Sequence, residues 1–208
     1  MPYRKARDVA IDFPPRSIHI AEIELLVEIL ASITEKRTAV YVSTPITSGR
    51  RLVTWPSKNT AAVSQRTHSG EHLKRVKRLN REQAQRIVRK LRQDLEKMVI
   101  DPAALVDRPG WTQDDYRHLW ALVIERYVET VIFLNGWHYS NGCAYEFMVA
   151  KQLGITTLSQ KRKKLSLDEG ICLIQRSMEE MQSHGLYTGF LERVQEALKK
   201  LYNAAGKR

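Results

Sequence analysis

Two short stretches hold residue types that could run a reaction. In 131–154, an apolar run passes through Asn135, Gly136 and Trp137 into a small-residue turn, Ser140-Asn141-Gly142. A helical pattern follows, apolar on most sides, with one carboxylate in its second turn, Glu146. Burying a carboxylate costs free energy unless it is hydrogen-bonded or used. The positions three and four residues on, Val149 and Ala150, hold no cation to neutralise it. A glutamate so placed is either a reacting group in an active-site corner or a residue at the exposed rim of its helix. Ser140 fits the helix N-cap, and the same helix end can take an anion. Trp137 suits either stacking on a base or sugar, or a lid on the edge of the core.

The second stretch is 43–50, with hydroxyls at Ser43, Thr44, Thr47 and Ser48, then Gly49 and Arg50. Hydroxyls, backbone N–H groups, a flexible glycine and a guanidinium together suit a phosphate. The alternative is an ordinary polar turn, because Pro45 removes a donor and no Walker spacing is present.

The elements that must hold these stretches can be read from periodicity. Ile20, Ile23, Leu26, Val27 and Leu30 recur at helical spacing and predict a helix over 18–36. A β-branched run predicts a strand at 38–42. Helix 71–97, strand 98–100, helix 112–127, strand 128–134, helix 141–153 and strand 155–158 follow. Asp101-Pro102 stops one strand, and Asp114 and Asp115 favour the first turn of the next helix. The alternation predicts a parallel sheet covered by helices. Ligands of such sheets bind beyond the carboxyl ends of the strands, where 43–50, 101–111 and 135–141 emerge. Around this 18–160 domain we expect an extended arm at 1–17, broken by Pro14-Pro15, and a mobile loop at 51–70. A basic linker begins at 161, followed by helices at 167–183 and 187–203 that pack on the domain or on a partner chain.

The net charge of +11 over 208 residues gathers in 66–97 and in 161–164. Such charge attracts phosphate, or simply solvates a helix face and a loop. No helix-turn-helix, finger or stacking-platform signature accompanies it, so nucleic acid is a possible but not a favoured partner. No apolar run nears the ~20 residues of a membrane span, and the first residues lack an apolar signal core. We expect a cytoplasmic protein with no membrane partner. Cys143 and Cys172 have no ligand-like spacing, so neither a metal nor a disulfide is expected, and no motif calls for a cofactor.

The two stretches together resemble the nucleoside 2-deoxyribosyltransferase superfamily. They are most similar to its 2'-deoxynucleoside 5'-phosphate N-hydrolases and to an uncharacterised bacterial and phage branch. The likeness lies in YVSTPITSGR at 41–50 and in the pattern GW-x-x-S-x-G-x-x-x-E from Gly136 to Glu146. It covers roughly residues 38–158. It implies a doubly wound, flavodoxin/Rossmann-like parallel sheet of about 4–5 strands, with helices on both faces and a C-terminal helical extension. It implies that Glu146 is a glycosidic nucleophile and that Ser48, Gly49 and Arg50 form a phosphate turn. Tyr41, Thr44, Ile46, Trp137, Ser140 and Gly142 stand at further substrate-binding positions. Ser140 occupies a position that is Asp in the deoxyribosyltransferases proper and Ser in the nucleotide hydrolases, which implies a phosphorylated substrate. A homodimer is implied as well, with an apolar surface expected on the last two helices.

The sequence departs from the family at the aspartate near the leaving base. Ungapped counting puts Leu122 there, and Asp115, Asp114 or Asp101 would have to serve instead. The function implied is an N-glycosidase of a nucleoside or deoxynucleoside 5'-monophosphate. A non-catalytic nucleotide sensor and a basic nucleic-acid-binding protein are the alternatives.

Overall fold

The computed structural model of the chain describes residues 17–47, 49–50, 53 and 70–205. The expected arm up to residue 16, nearly all of the 51–70 loop, and Ser48 lie outside the described residues. Strands β1 (Ala39–Ser43), β2 (Val99–Ile100), β3 (Val128–Phe133) and β4 (Thr156–Ser159) form one sheet in the order β2-β1-β3-β4, every pairing parallel. The helices are α1 (Ile20–Ala31), α2 (Gly70–Asp94), α3 (Gln113–Tyr127), α4 (Asn141–Gln152), α5 (Leu167–Ser183) and α6 (Gly189–Ala205).

β1 is buried along its whole length, as a central parallel strand covered on both faces should be. Its side chains alternate between two cores. Val40 and Val42 meet Ala84, Val88 and Leu91 of α2, together with Ile132 and Leu134. Ala39 and Tyr41 face the larger core built from α1, α3, α4, α5 and α6. Helices thus cover both faces, and the fold is a doubly wound α/β sheet with a C-terminal helical part. From β1 the chain steps outward to β2 and then returns to the other side at β3. The connections therefore part company between β1 and β3, where such sheets leave a crevice. Ser43 pairs with Phe133 there, and the Leu134 N–H donates to the Ser43 carbonyl at 3.0 Å.

α1 ends at Ala31, five residues short of the helix expected from periodicity, with Ser32 as its C-cap. The chain then turns at Arg37, whose φ of 56° no helix accepts. α3 starts from a reciprocal capping box. Thr112 Oγ1 accepts from the Asp115 N–H, and the Asp115 carboxylate accepts from the Thr112 N–H. Ser166 and Glu169 build the same box at α5.

α5 and α6 pack on this domain. Ile174, Leu191, Val194 and Leu198 join Phe147 and Met148 in the larger core. α5 lies flush on α4 because residue 170 is glycine: a Cβ there would stand 2.2 Å from the Phe147 ring. The apolar sides of the last two helices are therefore used inside the chain, which corrects the expectation that they supply a free dimer surface. The exposed large apolar residues instead include Leu25, Ile29 and Ile33, on and just beyond α1. No helix among the described residues is long and apolar enough to cross a membrane.

Candidate functional site

Glu146 lies one and a half turns into α4, and α4 starts from Ser140, whose Oγ accepts from the Cys143 N–H at 3.5 Å. The helix runs back over the sheet with every residue from Cys143 to Ala150 buried, and Glu146 is 8% exposed. Two hydroxyls from β1 meet its carboxylate. Tyr41 Oη donates to Oε1 at 2.7 Å, and Ser43 Oγ donates to Oε2 at 2.6 Å. Tyr41 and Ser43 are two residues apart on a strand, so they share a face.

Burial raises the Glu146 pKa to about 7, and the hydrogen bonds from Ser43 and Tyr41 pull the other way. The carboxyl is therefore poised between its two forms near neutral pH. The Tyr41 hydroxyl is held far above its ordinary value, by its own burial first and by the neighbouring Glu146 second. It stays a donor. Burial likewise pushes the Cys143 thiol up, with Glu146 adding to the effect, so this sulfur is a neutral neighbour rather than a thiolate nucleophile.

The carboxylate opens onto a cleft of about 520 Å³. One wall is aromatic. Trp111 and Tyr116 meet edge to face with ring centres 5.2 Å apart, and Trp120 stands edge-on to Tyr41 at 5.9 Å. Lys77, Arg81, Arg108 and Arg117 supply cations to the lining. Asp107, the other carboxylate among the described lining residues, is bonded to Lys77 and to Arg81, the latter at 3.0 Å. Those contacts, the Lys77 bond first, hold its pKa below the usual carboxylate range, so Asp107 is a poor proton donor.

A second cavity of about 450 Å³ adjoins the cleft, and Thr44 lines both. Gly49, Arg50, Asn80, Asn135 and His138 are among its walls. Gly49 has φ 95°, and a Cβ would come within 2.9 Å of the Pro45 Cβ, so only glycine fits this tight turn. Burial, with the charge of Arg50 second, lowers the His138 pKa to about 4, so its imidazole is neutral at physiological pH.

The structure brings together most of the residues singled out from the sequence. Tyr41, Thr44, Ile46, Ser140, Gly142 and Glu146 gather around the cleft, where Tyr41 reaches the carboxylate and the others line the walls. Gly49 and Arg50 line the adjoining cavity.

Two residues are placed elsewhere. Trp137 is 4% exposed and packs on Phe133 and Phe147, with ring centres 4.9 and 4.7 Å away. It is a core residue and lines neither cavity. Asp115 is 1% exposed and committed to its capping box and to the Ser17 hydroxyl, 2.7 Å away. Its pKa falls to about 2, because the hydrogen bonds from Ser17 and Thr112 outweigh the upward push of burial. It is a structural anion, not the acid partner of Glu146. Asp101 caps the single turn Pro102–Ala104 by accepting from the Ala103 N–H at 3.0 Å, and burial raises its pKa.

Sequence reasoning gave Ser43 as a hydroxyl for a phosphate rather than as a partner of Glu146, and it did not single out Trp111, Tyr116 or Trp120 as site residues. Ser43 had a signal, its two-residue spacing from Tyr41. Trp111 had one too, its place in the 101–111 loop at the ligand end of the sheet, while Tyr116 and Trp120 had none short of knowing how α3 crosses the sheet.

A family model described as a domain of unknown function, DUF4406, matches residues 75–159. The matched segment runs from within α2 through β4 and includes the α4 helix with Glu146. No curated protein and no solved structure matches the chain.

Proposed function

We propose that this protein binds a nucleoside or 2'-deoxynucleoside 5'-monophosphate and cleaves its base–sugar bond, as a hydrolase similar to the nucleoside 2-deoxyribosyltransferases. The observation that carries this reading is the buried Glu146 carboxylate, held by Tyr41 and Ser43 at the mouth of an aromatic cleft. Cleavage of an N-glycosidic bond passes through an oxocarbenium-like state, which a carboxylate on one face stabilises or captures. In the ionised form, Glu146 bonds to C1' while the C1'–N bond breaks and its electron pair leaves with the base, which takes up a proton from solvent water. Water then attacks C1', the ester bond breaks, and the products are free base and sugar 5'-phosphate.

The two hydroxyls fix the carboxylate in one orientation, and the aromatic wall offers stacking surface to the base. The adjoining cavity beside Gly49 and Arg50 is suited to the phosphate. Binding energy gathered there holds C1' against Glu146. The chain is further proposed to act as a homodimer, which the exposed Leu25, Ile29 and Ile33 support. Light scattering that gives a monomer at micromolar concentration refutes this.

The test is to incubate the protein with a panel of ribo- and deoxyribonucleoside 5'-monophosphates and follow free base by chromatography, with Glu146→Ala in parallel. Base released by the native protein and not by the variant supports the reading and identifies the substrate. A second reading, a nucleotide sensor without turnover, is favoured by the state of Asp107, whose ties to Lys77 and Arg81 leave the leaving base without a ready proton donor. Nucleotide bound but unchanged after hours would select the sensor.

A further inference from the structure

The Glu146 cleft does not end at its own rim. Lys77 and Arg81 line it, and both also line a shallow groove of about 360 Å³ along α2, with Lys74, Arg78, Glu82 and Gln85. Residues three, four and seven apart share one face of a helix. On α2 that spacing runs through Lys74, Lys77, Arg78, Arg81, Arg89 and Arg92, with neutral Gln85 between. Lys74, Arg78, Arg89 and Arg92 are exposed. Glu82 borders the stripe and is paired with Arg78 at 3.0 Å. From Lys74 to Arg92 the stripe extends about 27 Å at the helical rise per residue. The side of α2 that packs on the sheet, through Ala84, Val88 and Leu91, adjoins the stripe at Lys77 and Arg81, both half-buried.

We propose that this stripe holds the phosphodiester backbone of a single-stranded nucleic acid, and that Lys77 and Arg81 lead the strand to the Glu146 cleft. The inference rests on the reading of that cleft as a nucleotide site, and it makes the substrate a nucleotide within a strand. A row of cations along a helix is what a polyphosphate chain recognises. A lone mononucleotide has no use for cations some 27 Å along a helix. The strand is single because a base must stand clear of its stack to reach a carboxylate inside a cleft, and the rings of Trp111 and Trp120 give an unstacked base a surface to lie on.

The experiment is fluorescence anisotropy with a labelled 20-nucleotide single strand and the matching duplex, from 50 to 200 mM salt. With four to five phosphates neutralised, the single-strand affinity falls on the order of 100-fold across that range. K74E/R78E/R89E weakens binding by at least about tenfold and lowers the salt slope by about 2. A matched charge reversal in the basic turn, K161E/K163E, leaves affinity within about threefold. Circular dichroism melting checks that each variant folds, and R89E alone, with a loss of about threefold, serves if the triple variant does not.

Absence of strand binding at 50 mM salt overturns the proposal. So does an equal loss from the 161–163 reversal, or tighter binding of the duplex than of the single strand. Base release from mononucleotides without strand binding sinks this inference and keeps the glycosidase. Strand binding without base release from any substrate keeps the stripe and sinks the glycosidase.

Discussion

The starts of α3 and α4 each hold a buried carboxylate, and the protein drives the two in opposite directions. Asp115 sits in the first turn of α3, where it accepts from the Thr112 N–H and from the hydroxyls of Thr112 and Ser17. The positive end of the helix and three donors make the anion its preferred state. Glu146 sits a turn deeper in α4, past the free N–H groups, and receives two hydroxyls and no cation. Its burial wins, and its pKa rises to about 7 while that of Asp115 falls to about 2. A displacement of one turn along a helix thus separates a residue that closes a structure from one that remains available for chemistry.

Glu146→Gln tests that contrast most strongly. It should lower base release by at least about 10³-fold, on the order of removing a nucleophile, with nucleotide still bound. A residual rate above one tenth of native would assign the reaction to another group. In the native protein the rate should climb as pH rises through about 7, because the proposed nucleophile is the ionised form of Glu146.

The same variant should change stability in the opposite sense. Glu146 binds its proton more tightly folded than unfolded, so its contribution is full below the unfolded pKa of 4.5 and is lost as pH rises through about 7. Glu146→Gln is therefore more stable than native at pH 8, by up to roughly 2–3 kcal/mol, and the gap closes below pH 5. Equal melting curves at both pH values would show that the carboxylate is under no strain.

Asp115→Ala should cost about 1–2 kcal/mol at neutral pH through the lost capping box, without the pH dependence of Glu146 in that range. The Asp115 contribution is present above the unfolded pKa of 3.8 and fades as pH falls towards about 2. A large loss of activity in a well-folded Asp115→Asn variant would return this residue to the site. The smallest effect belongs to Tyr41→Phe. Removing one donor from Glu146 should move the acid limb of the rate profile upward by about 0.5–1 pH unit. An unmoved limb would leave Ser43 as the donor that matters.

How much of this could be read from the sequence follows the range of the interactions. The order of strands and helices was legible because each element carries its own periodicity. Glu146 was legible because a lone acid on an apolar helix stands out. The capture of that acid by Tyr41 and Ser43 spans 105 and 103 residues, and no local pattern reports a contact of that length. Asp115 and Trp137 each carried two readings in the sequence, Asp115 as a first-turn helix residue or an acid near the leaving base, Trp137 as a stacking surface or a lid on the edge of the core. In the fold, the Thr112 box and the rings of Phe133 and Phe147 already satisfy them.

Gly170 adds a further lesson about the helical extension. Its missing side chain is the space that the ring of Phe147 occupies, and Phe147 is the next residue after Glu146. The C-terminal helices are therefore a backstop for the helix that carries Glu146 rather than an ornament, and the carboxylate is aimed partly by residues far downstream of it. A single methyl group at position 170 would have to move that ring, so the site can be spoiled from the back without touching anything a substrate meets.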